Sequence, residues 1–546
     1  MADNARRRQP SGSLTSSELQ RGRMRETSVP IVPQAPTPPQ ERRLGPRRII
    51  PPVPEGPDVP DDTPSSPASI IPREQQDARR ARGATEADQD LMLVRNVTLG
   101  SAAANNSASS TGEPSVAMSG DVVFMTGNWY AALSSDGGNT FQFVDPFTAF
   151  PDPPGMGFCC DQIVHYIPQI DTFVWLLQYT ENRDNENIQR LAFATTNDVV
   201  RGRWRTYDIT PRSLDLPNIL LDFPDLAVGD RYLYVTTNGF RQNGTWASTV
   251  LLRIDINSVD EGDINAQQTK SSENFNFRVA QHCGTRVFWA SHNNTSSIRV
   301  FEWDEDAAQP TFRDVRVARW SARHPESITP EGFNWLNRSD PRILGATLAT
   351  NGGGSPELWF SWNSASGGVN GRPNPYVQIA RISADDFAVR ENINLWDANF
   401  AIAYAALVSN ADGEVGVSYA FGGRRTFPSH AVGILTDPSM HVSTAEGAHG
   451  PSEQRWGDYF TIRRHYPDMK LFAATGYTLQ SGTGRTAGSP QFALFGRASD
   501  VVRTASPTLE NLAARLAALE DRVAALAAQS GGERLAQRAS EREATC

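Results

Sequence analysis

The run VVFMTGN (122–128) has six counterparts along the chain: FVWLLQY (173–179), YLYVTTN (232–238), VFWASHN (287–293), ELWFSWN (357–363), VGVSYAF (415–421) and LFAATGY (471–477). Each is short, rich in β-branched and aromatic residues, and ends in Asn or an aromatic, the signature of a strand closed by a turn. Each follows a second short apolar run: PSVAM, QIVHY, DLAVG, FRVAQ, PRILG, AIAYA or YFTIR. A third run often comes next, as in YAALS, RLAFA, TVLLRI, YVQIARI, HAVGIL and QFALFG. Modules of about 50–60 residues with three or four strands each predict an all-β, seven-bladed β-propeller over residues 91–500, the spacing allowing six to eight blades. The last module offers only three strands, while LMLVRNV (91–97) stands unassigned ahead of the first. Added to the last blade as its fourth strand, that run would close the ring and remove the exposed edge.

The turn LSSDGGNTF (133–141) separates two such runs. Its Ser134, Asp136, Gly138, Thr140 and Phe141 resemble the Asp-box of the sialidase-like β-propeller superfamily, Ser/Thr-x-Asp-x-Gly-x-Thr-Trp/Phe. The aspartate accepts bonds from backbone N–H groups of its own turn, the glycines permit positive φ, and the aromatic pins the turn to its blade. The resemblance implies a turn between third and fourth strands, away from a ligand face. It does not extend to sialidase catalysis. The nearest match to the early Phe/Tyr-Arg-Ile-Pro motif of that superfamily, Phe277-Arg278-Val279-Ala280, lacks the proline and lies downstream of the turn. The chain is therefore read as a non-sialidase member.

Acidic residues open the innermost strands: Glu113 before PSVA, Asp161 before QIVH, Asp225 before LAV, Asp340 before PRIL and Asp458 before YFTI. In a propeller these strands line the central channel, so the acids would ring one mouth. Crowded carboxylates raise one another's pKa and call for counter-charge. Three readings stay open: a Ca²⁺ site at these five acids, an acid/base pair for glycoside hydrolysis drawn from Asp161, Asp225, Asp340 and Asp458, or backbone-bonded struts between blades. Long connections on the same face offer Phe158, Arg323, His324, Trp335, His449, Arg455 and Trp456 as ligand contacts, since aromatic faces stack on sugar rings and charged groups bond hydroxyls. The adjacent Cys159 and Cys160 can form a vicinal disulfide at that mouth. The spacing of the remaining cysteines supports no zinc site.

The 546-residue chain carries a net charge of −10, which argues against wholesale nucleic-acid binding. Residues 1–90, rich in Pro, Arg, Ser and Gln, read as a disordered arm. Its first fifty residues hold ten arginines against four acids and suit an acidic partner. At the other end Leu509, Leu512, Leu516, Leu519, Val523 and Leu526 step by three and four. That stripe predicts a short coiled-coil helix over 506–530 that makes a homo-oligomer, followed by a flexible tail, 531–546. No run reads as a membrane span or a Sec signal. Synthesis in the cytoplasm, with later placement at a surface, outside the cell or on a particle, stays open. The expected function is recognition of a glycan or protein ligand by one loop-rich face; the alternatives are a glycoside hydrolase or lyase and a component of a larger assembly.

Overall fold

The computed structural model describes residues 10–30, 48–61, 66–72, 91–99, 107–350, 354–436, 439–484 and 486–505. Seven antiparallel sheets follow one another around a central axis. Their innermost strands are Ser115–Ser119, Phe158–Ile167, Leu220–Val228, Arg278–Val279, Ile343–Ala349, Ala401–Ser409 and Ile462–Arg464, numbered here blades 1 to 7. The ring closes as the sequence predicts. Leu91–Thr98 pairs antiparallel with Gly488–Arg497, from Thr98 opposite Gln491 to Leu91 opposite Arg497, and so forms the outermost strand of blade 7.

Blades pack face to face, so both sides of a middle strand are covered and the usual polar alternation disappears. Every residue of Thr172–Tyr179 is buried for this reason. Between blades 1 and 2, Phe124 meets Trp175 edge-on at 5.0 Å, and Trp175 meets Trp204 at 5.6 Å. An indole buried this way contributes on the order of 4 kcal/mol of transfer free energy.

The turn at 134–141 joins the third and fourth strands of blade 1. Asp136 Oδ1 accepts from the N–H groups of Asn139 (3.1 Å) and Thr140 (2.9 Å), and Oδ2 accepts from the Thr140 hydroxyl at 2.6 Å. Gly138 has φ +81°, and Phe141 packs edge-on against Phe492 of blade 7. In blades 2 and 3 the same connection is a short helix, Thr196–Arg201 or Ile256–Glu261, capped by Thr195 or Asp255. A third helix, Ala498–Ala505, follows the third strand of blade 7. The expected coiled-coil helix at 506–530 and the tail lie outside the described residues. Among the described residues no helix is long and apolar enough to cross a membrane.

The arm departs from its expected disorder wherever it is described. Gly12–Ser13, Ser16–Glu18 and Arg25–Ser28 add as outer edge strands to blades 4, 3 and 2 in turn. The chain then returns in the opposite sense: Ile49 bridges Thr245 of blade 3, Arg319 beyond blade 4 pairs with Glu55, and Ile70–Ile71 runs parallel to the outer strand of blade 6. The arm's side chains stay largely exposed while its main chain pairs with the blade edges. Backbone hydrogen bonds to the blade edges hold it in place together with spaced apolar side chains, Leu14, Leu19, Met24, Val29 and Ala68, that pack on the blade cores.

Candidate functional site

Inner strands of four blades break register near the end where they begin: between Phe158 and Gln162, Asp222 and Asp225, Ile343 and Gly345, and Ala403 and Ala406. Such bulges re-aim side chains. Here they turn polar groups toward one mouth of the channel. Three non-glycine residues at this level hold left-handed backbone, Glu113 (φ +44°), Phe223 (+56°) and Tyr404 (+62°), a strain tolerated only where packing over-determines it.

Glu113, Asp161, Asp340 and Asp458, from blades 1, 2, 5 and 7, fall within one electrostatic cluster. Glu113 is 4 % exposed and accepts a 2.8 Å bond from Asn128 Nδ2. Burial, and then the Asp458 carboxylate, push it up to about 7. Asp161 is raised well above the usual carboxylate range by burial and by Glu113, with which it is hydrogen-bonded, so the two share a proton. Asp458 behaves in the opposite way. Burial opposes its ionisation, but Arg338 and Arg342 outweigh that and hold it low. Arg342 Nη2 lies 3.2 Å from Asp458 and 2.5 Å from Asp340. Its guanidinium also stacks on Phe223, 3.3 Å from the ring centre. Arg338 approaches Asp458 at 3.3 Å and stays 38 % exposed. Counter-charge at this mouth is thus arginine. Among the described residues no three His, Cys, Asp or Glu side chains stand where they could hold a metal ion.

Sequence reasoning missed Arg338, Arg342, Tyr459 and Asp222. Asp222 accepts from Gln178 Nε2 at 2.7 Å and from the arm's Arg48 Nε at 2.8 Å, so an arginine expected to seek an acidic partner finds one in its own chain. The Tyr459 hydroxyl is buried beside Asp161 and Glu113 with no hydrogen-bond partner. Asp225, by contrast, lies deeper in the channel, paired with Arg278 at 2.5 Å.

The expected aromatic contacts require correction. Trp335 and Trp456 are both 0 % exposed, meet edge-on at 6.0 Å, and pack on Tyr404 and Tyr477. Phe158 is likewise buried, edge-on to Phe147 at 4.9 Å. These rings build the floor beneath the mouth. Arg323 and His324 are exposed, with Arg323 near Glu55 of the arm and not in the cluster. His449 bonds Glu331 at 2.9 Å on the rim, and Arg455 is half-buried nearby in sequence. Cys159 and Cys160 form a disulfide directly before Asp161. Cys283 is buried, its thiol pushed up to about 12 by burial.

No family model and no curated protein matches the sequence. Solved structures similar to the chain include an α-L-arabinofuranosidase from Fusarium graminearum in complex with an iminosugar inhibitor (11 % identity, TM-score 0.38, covering 75 % of this chain and 99 % of that one). Others are a Penicillium chrysogenum α-L-arabinanase complexed with arabinobiose (8 %, 0.36, 74 % and 98 %) and a Trypanosoma rangeli sialidase in complex with sialic acid (11 %, 0.34, 60 % and 54 %). The fold assignment stands on the closed seven-sheet ring itself.

Proposed function

We propose that the protein is a recognition module of the sialidase-like propeller kind whose channel mouth binds a polyhydroxylated ligand, a glycan or a glycan-bearing partner. One observation carries this reading: the mouth brings the buried carboxyls of Glu113 and Asp161 beside arginine-paired carboxylates (Asp340 and Asp458), with the Arg338 guanidinium half-exposed above them. Donors and acceptors held at fixed positions on rigid strands match the hydroxyl pattern of a sugar at little ordering cost. The charged groups are already bonded to one another or to amides, which favours binding over turnover.

Glycan-array binding by the full chain, with a reducing-sugar readout in parallel, tests the proposal. Binding without hydrolysis, lost in Arg338→Ala, is the expected result. Undiminished binding in that variant removes the mouth from the interface. A second reading rests on the split between Glu113, raised, and Asp458, lowered, which is the arrangement of an acid and its ionised partner. Sugar release abolished by Glu113→Gln would favour that reading.

A further inference from the structure

Blade 2 enters the mouth through Cys159 and Cys160, adjacent residues whose side chains are joined in a disulfide. Successive residues of a regular strand point to opposite faces, so a bond between neighbours does not fit one. The ladder shows the consequence. Phe158 pairs with Tyr179 and Gln162 with Leu177, which leaves Cys159, Cys160 and Asp161 opposite Gln178 alone. An ordinary bulge sets two residues against one; this one sets three, and its last member is the acid in contact with Glu113 of blade 1.

Both ends of the bulge are anchored. Phe158 is buried edge-on against Phe147. Gln162, fully buried, donates to the Gly127 and Tyr130 carbonyls at 2.6 and 3.1 Å and accepts from the Trp175 indole at 2.9 Å. Between these anchors the Cys159 carbonyl accepts from the Trp129 indole at 3.2 Å. Gln178 Nε2, which bonds Asp222, approaches Cys160 Sγ at 3.8 Å, and sulfur is a weak acceptor. Both cysteines are half-buried and so within reach of a solute, whereas Cys283 is buried. A disulfide that encloses no residue between its ends constrains the unfolded chain least, so global stability accounts poorly for this one.

We infer that the Cys159–Cys160 disulfide is a redox switch for the mouth, an inference that rests on reading the mouth as the ligand site. Closed, the bond keeps three residues in the bulge and presents Asp161 to Glu113. Opened, it lets the two cysteine side chains return to opposite faces, and Asp161, next in the strand, turns away with them. The reductant is a dithiol. One of its thiolates attacks a cysteine Sγ, the S–S bond breaks, and the other cysteine leaves as a thiol. The second thiolate then displaces the first cysteine from the mixed disulfide. Cys159 and Cys160 each gain one electron and one proton, and the dithiol departs as its own disulfide.

The test uses the full chain, equilibrated with mixtures of oxidised and reduced dithiothreitol. Alkylation with iodoacetamide, mapped by peptide mass, gives the fraction of Cys159 and Cys160 present as thiols. Binding to the glycan array and amide hydrogen exchange are measured on the same samples. As the thiols appear, affinity for the glycans held by the oxidised protein should fall by at least about tenfold. Amides of 158–166 should exchange faster, while those of Val415–Gly423 in blade 6 stay as they were. Reoxidation should restore both. Cys159→Ser/Cys160→Ser should bind weakly at every dithiothreitol ratio; if it does not fold, the wild-type series decides. Equal affinity in the two states, unchanged exchange at 158–166 once thiols have formed, or thiols that form only on global unfolding would overturn the switch. If the wild type binds no glycan in either state, the ligand reading fails by itself, and the exchange comparison still decides whether the disulfide sets the strand.

Discussion

At the mouth of the channel, Asp340 and Asp458 meet Arg342 and Arg338, while Glu113 and Asp161 settle their repulsion by sharing a proton. Further down, three guanidiniums face one carboxylate and two histidines that burial keeps neutral, His165 at about 4 and His282 well below its ordinary value. Apart from Asp161 the mouth groups lie in segments just ahead of the inner strands, whereas Arg463 and Arg464 lie on an inner strand itself. What differs is the source of counter-charge. The mouth is open to long connections, and Arg338 and Arg342 enter it from the segment between blades 4 and 5. Lower down, Asp225 meets Arg278 at 2.5 Å and also lies in the field of Arg463. The contrast teaches that a propeller balances charge from its connections at the mouth and from neighbouring inner strands below it.

Breaking the mouth's match should have the largest effect. Arg342→Met leaves Asp340 and Asp458 buried with Arg338 alone against them. Removing one partner of a buried ion pair costs about 3–5 kcal/mol. Without Arg342 both carboxyls would have folded pKa values above their unfolded ones, so the deficit should be greatest at alkaline pH and shrink as pH falls. Guanidinium unfolding of the variant at pH 8 and pH 5 checks this, and an equal loss at both would show that packing on Phe223, not charge, is what Arg342 supplies.

The proton-sharing pair gives a second, smaller signal. Because the folded pKa of Glu113 lies above its unfolded value, its contribution is complete below about 4.5 and is lost as pH rises through about 7. By linkage, wild-type stability should fall by about 2 kcal/mol between pH 5 and pH 8 on this account. Glu113→Gln, which can keep the Asn128 bond, should flatten that slope and be the more stable protein at pH 8. Parallel urea curves for the two proteins across the range would sink the shared-proton assignment.

Trp456 sharpens the boundary between mouth and floor. Its ring stacks on Tyr477 at 4.2 Å and its indole N–H has no partner to lose. Trp456→Phe should therefore cost about 1–1.5 kcal/mol, the strain of an imperfect refill, and leave glycan binding unchanged. A fall in affinity larger than the fall in stability would return this ring to the ligand face.

These outcomes bear on what could be read in advance. The blade repeat was legible because each strand is a local apolar run, and the closing strand because one run was left over ahead of the first module while the last module lacked its fourth strand. Four of the five acids expected at the mouth follow the same rule, one acid at the start of an inner strand, whereas Asp225 fits the pattern and yet pairs with Arg278 lower down. Arg338 was not legible, since it meets Asp458 across 120 positions by way of a connection whose path no periodicity records. Trp335 and Trp456 misled because a tryptophan in a polar loop reads as exposed, whereas these loops fold inward over blades 6 and 7. The arm misled in the reverse sense. Its composition lacks a continuous core-forming face, yet single spaced apolar residues such as Leu14, Leu19, Met24 and Val29 reach the blade cores while its main chain pairs with the sheet edges.

The smallest effect belongs to the turn at 134–141, far from either charged zone. Four bonds to the Asp136 carboxylate lower its pKa to about 2, the Thr140 hydroxyl and N–H first among them, then the Ser134 hydroxyl and the Asn139 N–H. A depressed folded pKa adds stability above the unfolded value and loses it as pH falls toward 2. The group is exposed, so solvent screens most of that gain. Asp136→Asn should cost less than about 1 kcal/mol at pH 7 and nothing at pH 2. The Phe141 contact with Phe492 would remain, because the glycines and not the charge set the turn's path. If instead the variant lost several kcal/mol, the turn would be carrying the seam between blades 7 and 1, and its hydrogen-bonded geometry would matter more there than the glycines alone.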